Sequence, residues 1–141
     1  MNSFTHFGLY PEILQAISEL GFENPTPIQS KTIPHLLSTD QDLIASAQTG
    51  TGKTAAFGLP SIHLTNIDDK STQTLVLCPT RELCVQIAKD LGDYSKYMKG
   101  INILAVYGGA SIQPQIKSLK KVPRLLLVRQ GEPKTLLNEK S

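Results

Sequence analysis

The stretch "AQTGTGKT" (residues 47–54) combines two glycines, a lysine and a hydroxyl at the spacing that suits phosphate binding. Gly50 and Gly52 let the backbone curl until successive N–H groups converge on phosphate oxygens. Lys53 reaches the β- and γ-phosphates, and the Thr54 hydroxyl is placed to ligate Mg²⁺. Gln48, Thr49 and Thr51 complete the loop, and a helix starting near Lys53 adds its positive end. Ala47 stands where the pattern usually carries glycine, a small-for-small exchange. The loop alone does not choose between a small-molecule kinase, a GTPase and an ATPase motor.

The elements around the loop narrow that choice. "DLIASA" (42–47) reads as a short buried strand leading into the loop, and "KTAAFGLPSIHL" as the helix leaving it. "TLVLCP" (74–79) and "INILAVY" (101–107) read as further strands, with helices over 81–98 and 111–121. Leu83, Ile87 and Leu91 mark the apolar stripe of the first of these helices. Near the start, "PEILQAISEL" places Ile13, Leu14, Ile17 and Leu20 on one helical face, closed by Gly21. Pro25, Pro27 and Pro34 are expected to divide the following stretch into a turn and short helical pieces. Strand and helix in alternation imply an α/β fold, a parallel sheet flanked by helices.

Composition agrees with a folded domain: 141 residues, 40% hydrophobic and 18% charged, with a net charge of only +2. That balance permits a polyanionic partner without demanding one. The first residues show neither the basic nor the apolar region of a secretory signal, and no apolar run reaches membrane-span length, so a cytoplasmic location without membrane association is expected. Cys78 and Cys84 fit no common zinc or redox spacing and read as two reduced, partly buried thiols. The lysines of "KSLKK" (117–121) read as a solvated helix face, and Asp68 and Asp69 as a solvated turn.

"GFENPTPIQ" (21–29), "AQTGTGKT" (47–54), "PTREL" (79–83) and "GG" (108–109), in this order and preceded by Phe4, resemble the first lobe of a DEAD-box ATP-dependent RNA helicase of bacterial type. The resemblance covers residues 4 to about 122. It implies a RecA-like P-loop NTPase domain, incomplete at its C-terminus. Residues 1–36 would be its Q-motif segment and 37–123 a partial ATP-binding domain. It also implies ATP and Mg²⁺ as ligands and RNA, held by its backbone, as partner.

The residue chemistry supports these roles without the family. Phe22 can offer a flat apolar face to adenine, and the Gln29 carboxamide both a donor and an acceptor to its edge, a pattern that favours ATP over GTP. From the residues alone, Phe22 as plain core and Gln29 as a helix-surface residue is the competing reading. Pro79, Thr80 and Arg81 stand where a strand's carboxyl end meets a helix N-terminus, a usual place for ligand contacts. Arg81 suits an RNA phosphate, Thr80 adds a hydroxyl, and Gly108 and Gly109 allow close approach of the RNA backbone, a contact that does not read base sequence. Taken singly, Arg81 in a surface ion pair and the glycines in a plain turn fit better; taken as a set they do not.

The resemblance fails after residue 123. The family continues with a strand ending in "GTPGR", then Asp-Glu-Ala-Asp and Ser-Ala-Thr, whereas this chain reads "RLLLVRQGEPKTLLNEKS". Back-translation shifted by one base permits Gly-Thr-Pro-Gly-Arg in the right place, so residues 124–141 read as an out-of-frame tail, with a naturally divergent tail as the alternative. Its apolar "LLLV" can still pair as a substitute strand. A helicase by family, here an ATP-binding fragment inactive alone, is the expectation; the alternative is a non-catalytic fragment with weak nucleotide binding.

Overall fold

The computed structural model describes residues 3–107, 112–120 and 125–129. Two compact units are present, residues 1–64 with 90–99, and residues 65–89 with 100–141.

The first unit is helical. A 3₁₀ turn at Phe4–Phe7 precedes α1 (Pro11–Glu19), α2 (Pro27–Ser38) and α3 (Lys53–His63), and the last residues of α4 (Arg81–Tyr94) complete it. The buried face of α1 is Ile13, Ala16 and Ile17, while Leu20 is exposed, so the expected stripe is displaced by the helix ending at Glu19. That end is a Schellman arrangement. Gly21 adopts φ +84°, its N–H donates to the Ser18 carbonyl at 3.0 Å, and the Phe22 N–H donates to that of Ile17 at 3.0 Å. α3 and α4 approach closely at one glycine. A Cβ on Gly58 would fall 2.4 Å from Leu91 Cδ2, so only glycine admits this approach.

α2 corrects an expectation. The prolines do not divide it; one helix runs from Pro27 to Ser38 with Pro34 inside. Its start outweighs the lost N–H. Pro27 occupies the first position, where no partner is needed, and Thr26 with Gln29 forms a full capping box.

His63, at the C-terminus of α3, lies against Tyr10, with ring centroids 4.1 Å apart and planes 27° from parallel. The Tyr10 backbone N–H donates to His63 Nδ1 at 3.2 Å. Burial holds the imidazole pKa below its ordinary value of 6.5, against the pull of a helix C-terminus toward the charged form. Because the folded state disfavours the proton, this contribution is full above about pH 6.5 and lost as pH falls through the lowered pKa. Thermal melts from pH 7.5 to 5 should show a small loss of stability on the acid side that His63→Phe, which stacks without titrating, lacks. An identical pH slope in that variant would disprove the assignment.

The second unit carries a three-stranded parallel sheet of β1 (Thr74–Cys78), β2 (Ile103–Val106) and β3 (Leu125–Arg129), in the order β1-β3-β2. β3 is central, pairing Leu125 with both Thr74 and Ile103. The apolar "LLLV" thus does pair. α5 (Ile112–Leu119) lies in the same unit. Cys78 and Cys84 are free and fully buried, more so than expected, and burial raises both thiols, Cys84 to about 11 with the neighbouring Cys78 adding to it. On α4 the inward stripe is Cys84, Ile87 and Leu91, with Leu83 exposed.

Residues 42–47 form no strand, contrary to the sequence reading. Leu43 is 40% and Ile44 100% exposed. An extended segment becomes a strand only when a neighbour accepts its N–H and C=O groups. Among the described residues the only ladders are β1–β3 and β2–β3, and neither includes this segment. No helix among the described residues is long and apolar enough to cross a membrane.

Candidate nucleotide site and RNA-facing turn

The phosphate loop is built from local backbone geometry. Gly50 (φ +81°) and Gly52 (φ +84°) are both left-handed, and Gly52 is the N-cap of α3. The two reversals turn the chain from the extended segment into the helix. The Thr51 hydroxyl donates to the Gln48 carbonyl at 2.5 Å, and Lys53 Nζ donates to the Ala47 carbonyl at 2.7 Å. Lys53 therefore spans the loop from its last residues to its first. Thr49 lies in the exposed turn, and Thr54 is half-buried in the first helical turn.

Gln29 links α2 to this loop. It is 3% exposed, and its Oε1 accepts the Thr26 N–H at 2.9 Å while its Nε2 donates to the Gly52 carbonyl at 3.2 Å. The Thr26 hydroxyl donates to the Thr51 carbonyl at 2.7 Å, a second link between the same elements. A carboxamide offers two donor hydrogens and two acceptor lone pairs, so one of each remains on Gln29. Sequence reasoning singled out Gln29 but not Thr26, whose signal was the capping box written as Thr-Pro-Ile-Gln.

Phe22 is half-buried in an aromatic cluster, its centroid 5.9 Å from Phe4 in a tilted arrangement and 5.9 Å from Tyr94 edge-on. Beside the loop, a cleft of about 420 Å³ opens between α2, α3 and residues 41–45, lined by Ile28, Leu36, Leu43 and Phe57 and reaching Lys53.

In the second unit, Pro79 and Thr80 form the exposed turn between β1 and α4. The Thr80 hydroxyl oxygen accepts the Leu83 N–H at 3.1 Å, capping α4. Its own hydrogen is not spent in that bond. The Arg81 guanidinium sits 4.8 Å from the centroid of the Tyr107 ring, a partner sequence reasoning did not find. Gly108 and Gly109 lie outside the described residues. Asp68 and Asp69 are exposed in a turn, where the Asp69 carboxylate accepts the Ser71 N–H at 2.8 Å.

The family model for the DEAD/DEAH box helicase matches residues 26–141. The chain belongs to the DEAD/DEAH box helicase family. It is similar to the ATP-dependent RNA helicase DeaD of Buchnera aphidicola subsp. Acyrthosiphon pisum, 46% identical over 97% of this chain and 22% of that protein. The chain thus spans about a fifth of the length of that curated relative. Among solved structures, a DEAD box protein from Methanococcus jannaschii matches with a TM-score of 0.90 and 38% identity, over 99% of this chain and 38% of the other. The RNA-helicase Prp28 from Chaetomium thermophilum, bound to ADP, matches at 0.79 and 32%, over 93% and 33%. The DEAD-box fold likeness makes the domain RecA-like and partial, as the motifs imply.

Proposed function

We propose that this chain provides the ATP-binding part, and part of the RNA path, of an ATP-dependent RNA helicase that remodels short RNA duplexes. The observation that carries this reading is the pair of links on the phosphate loop, Lys53 to Ala47 and Gln29 to Gly52, set at the N-terminus of α3. The left-handed glycines, the lysine and the helix end together fit a polyphosphate. Adenine is the base we assign, by Gln29 and Phe22; the ADP held by the related Prp28 structure supports it.

Bound ATP and Mg²⁺ would supply the phosphoryl group and the charge that neutralises its oxygens. Lys53 would exchange the Ala47 carbonyl for a phosphate oxygen, and Thr54 would give the metal its one hydroxyl ligand from this loop. Such sparse protein ligation is ordinary for Mg²⁺, which keeps waters and phosphates as its other ligands. Thr80, Arg81 and the α4 N-terminus would take an RNA phosphate, with Gly108 and Gly109 continuing the path. Pro79 shapes that turn.

ATP and GTP titrations monitored by fluorescence test the base assignment. ATP should bind more tightly, and Gln29→Ala should erase most of the difference, a loss of about tenfold for one buried hydrogen-bonding pair. Equal affinities in the unaltered protein would overturn it. Residues 1–141 taken alone should bind ATP without RNA-stimulated phosphate release, since Asp68 and Asp69 sit in a turn instead of a metal site. Stimulated release that vanishes in Lys53→Ala would overturn that expectation. We also propose that residues 124–141 are an out-of-frame tail and that the protein acts in the cytoplasm. The coding DNA decides the first: no one-base change restoring Gly-Thr-Pro-Gly-Arg would exclude it. Fractionation of cells decides the second.

A further inference from the structure

The Arg81 guanidinium and the Tyr107 ring come from the two separate segments of the second unit, at the start of α4 and at the residue after β2. Tyr107 is held firmly. The Gln115 side chain, on α5, accepts the Tyr107 N–H at 3.1 Å and donates to the Tyr107 carbonyl at 2.9 Å. One carboxamide thus satisfies both backbone groups of the residue just beyond the strand, work that a neighbouring strand would otherwise do. The ring is half-buried, whereas Arg81 is exposed.

We infer that Tyr107 is a positioning residue for Arg81, holding the guanidinium by a cation–π contact so that it meets RNA phosphate already oriented. This rests on the RNA-facing reading of the Thr80–Arg81 turn. An exposed arginine otherwise samples many rotamers, and each phosphate contact must pay for ordering it. A guanidinium attracted to a ring face keeps its N–H donors, which point outward from the carbon, available to an anion. Gln115 matters because a ring on an unfixed strand end would move with Arg81 and order nothing. The chain Gln115–Tyr107–Arg81 thus joins α5 and β2 to the turn that Thr80 caps.

Two measurements on the whole protein test this. In its NMR spectrum without RNA, the Arg81 Nε–H signal, assigned by its loss in Arg81→Ala, should carry a ring-current shift that Tyr107→Phe retains and Tyr107→Leu removes. Absence of that shift in the unaltered protein overturns the inference whatever RNA does. The second is a double-mutant cycle on single-stranded RNA affinity. Arg81→Ala should weaken binding about tenfold and reduce the salt slope by about one. Tyr107→Leu should weaken it about two- to fivefold, Tyr107→Phe hardly at all, and Tyr107→Leu should add nothing once Arg81 is alanine. Additive losses would make Tyr107 an independent RNA contact and refute its positioning role. Should Arg81→Ala leave RNA affinity unchanged, the RNA-facing reading of the turn fails, and the positioning role with it, even where the NMR shift is present.

Discussion

Gly52→Ala is expected to lose nucleotide binding and to lower the stability of the fold by about 2–5 kcal/mol. Two causes add. Gly52 stands at φ +84°, where a side chain costs about 1–2 kcal/mol. A Cβ there would also lie 2.3 Å from Gln29 Nε2 and 3.1 Å from its Cδ. Gln29 cannot simply swing aside, because it is buried and tied to Thr26 and to Gly52 itself. Displacing it breaks the capping box of α2 and leaves buried polar atoms without partners, about 1–3 kcal/mol. Gly50→Ala is the control. Gly50 has nearly the same φ, +81°, with nothing within 4 Å of an added Cβ, so it meets the backbone cost alone. Thermal melts and ATP titrations of both variants compare the two. Equal effects would mean that Gln29 does not wedge against residue 52.

Lys53→Ala should weaken ATP binding by about 10- to 100-fold, the worth of a charge-assisted hydrogen bond. Adenosine, which offers no phosphate, should bind as before. The lysine also ties the loop to Ala47, so its removal loosens the nucleotide-free loop. Lys53→Arg keeps the charge but not the compact ammonium, and should recover only part of the loss. Calorimetry with ATP, ADP and adenosine makes the comparison. A uniform loss across all three would show a damaged fold instead of a missing phosphate contact.

The phosphate loop was legible in the sequence because its chemistry is local. Two glycines, a lysine and a threonine within five residues need only a helix to follow, and α3 begins at Lys53. The extent of β1 and β2 was legible to within one or two residues for a similar reason. Residues 42–47 were not, since an apolar run states a tendency to be buried and says nothing of which strand will receive it. Pro34 misled because a proline's cost was weighed without the capping box that offsets it. The two kinds of hydrogen-bonding atom on Gln29 were legible, but not that one of each is already used within the protein. Arg81 and Tyr107 were out of reach: no spacing rule links the start of a helix to the end of a later strand.

Among the described residues every ladder pair of the sheet includes β3, the last of the described strands, while β1 and β2 do not pair with each other. The order of synthesis therefore matters. As the chain emerges, Thr74–Cys78 and then Ile103–Val106 must wait with unpaired edges until Leu125–Arg129 arrives, when both ladders can close together. Pairing of this kind joins distant residues, folds slowly and leaves strand edges open to other chains meanwhile. The helical turns of the first unit need no such delay. Pulsed hydrogen exchange during refolding should find α1 and α2 protected before β1, with β1 and β2 gaining protection in the same phase.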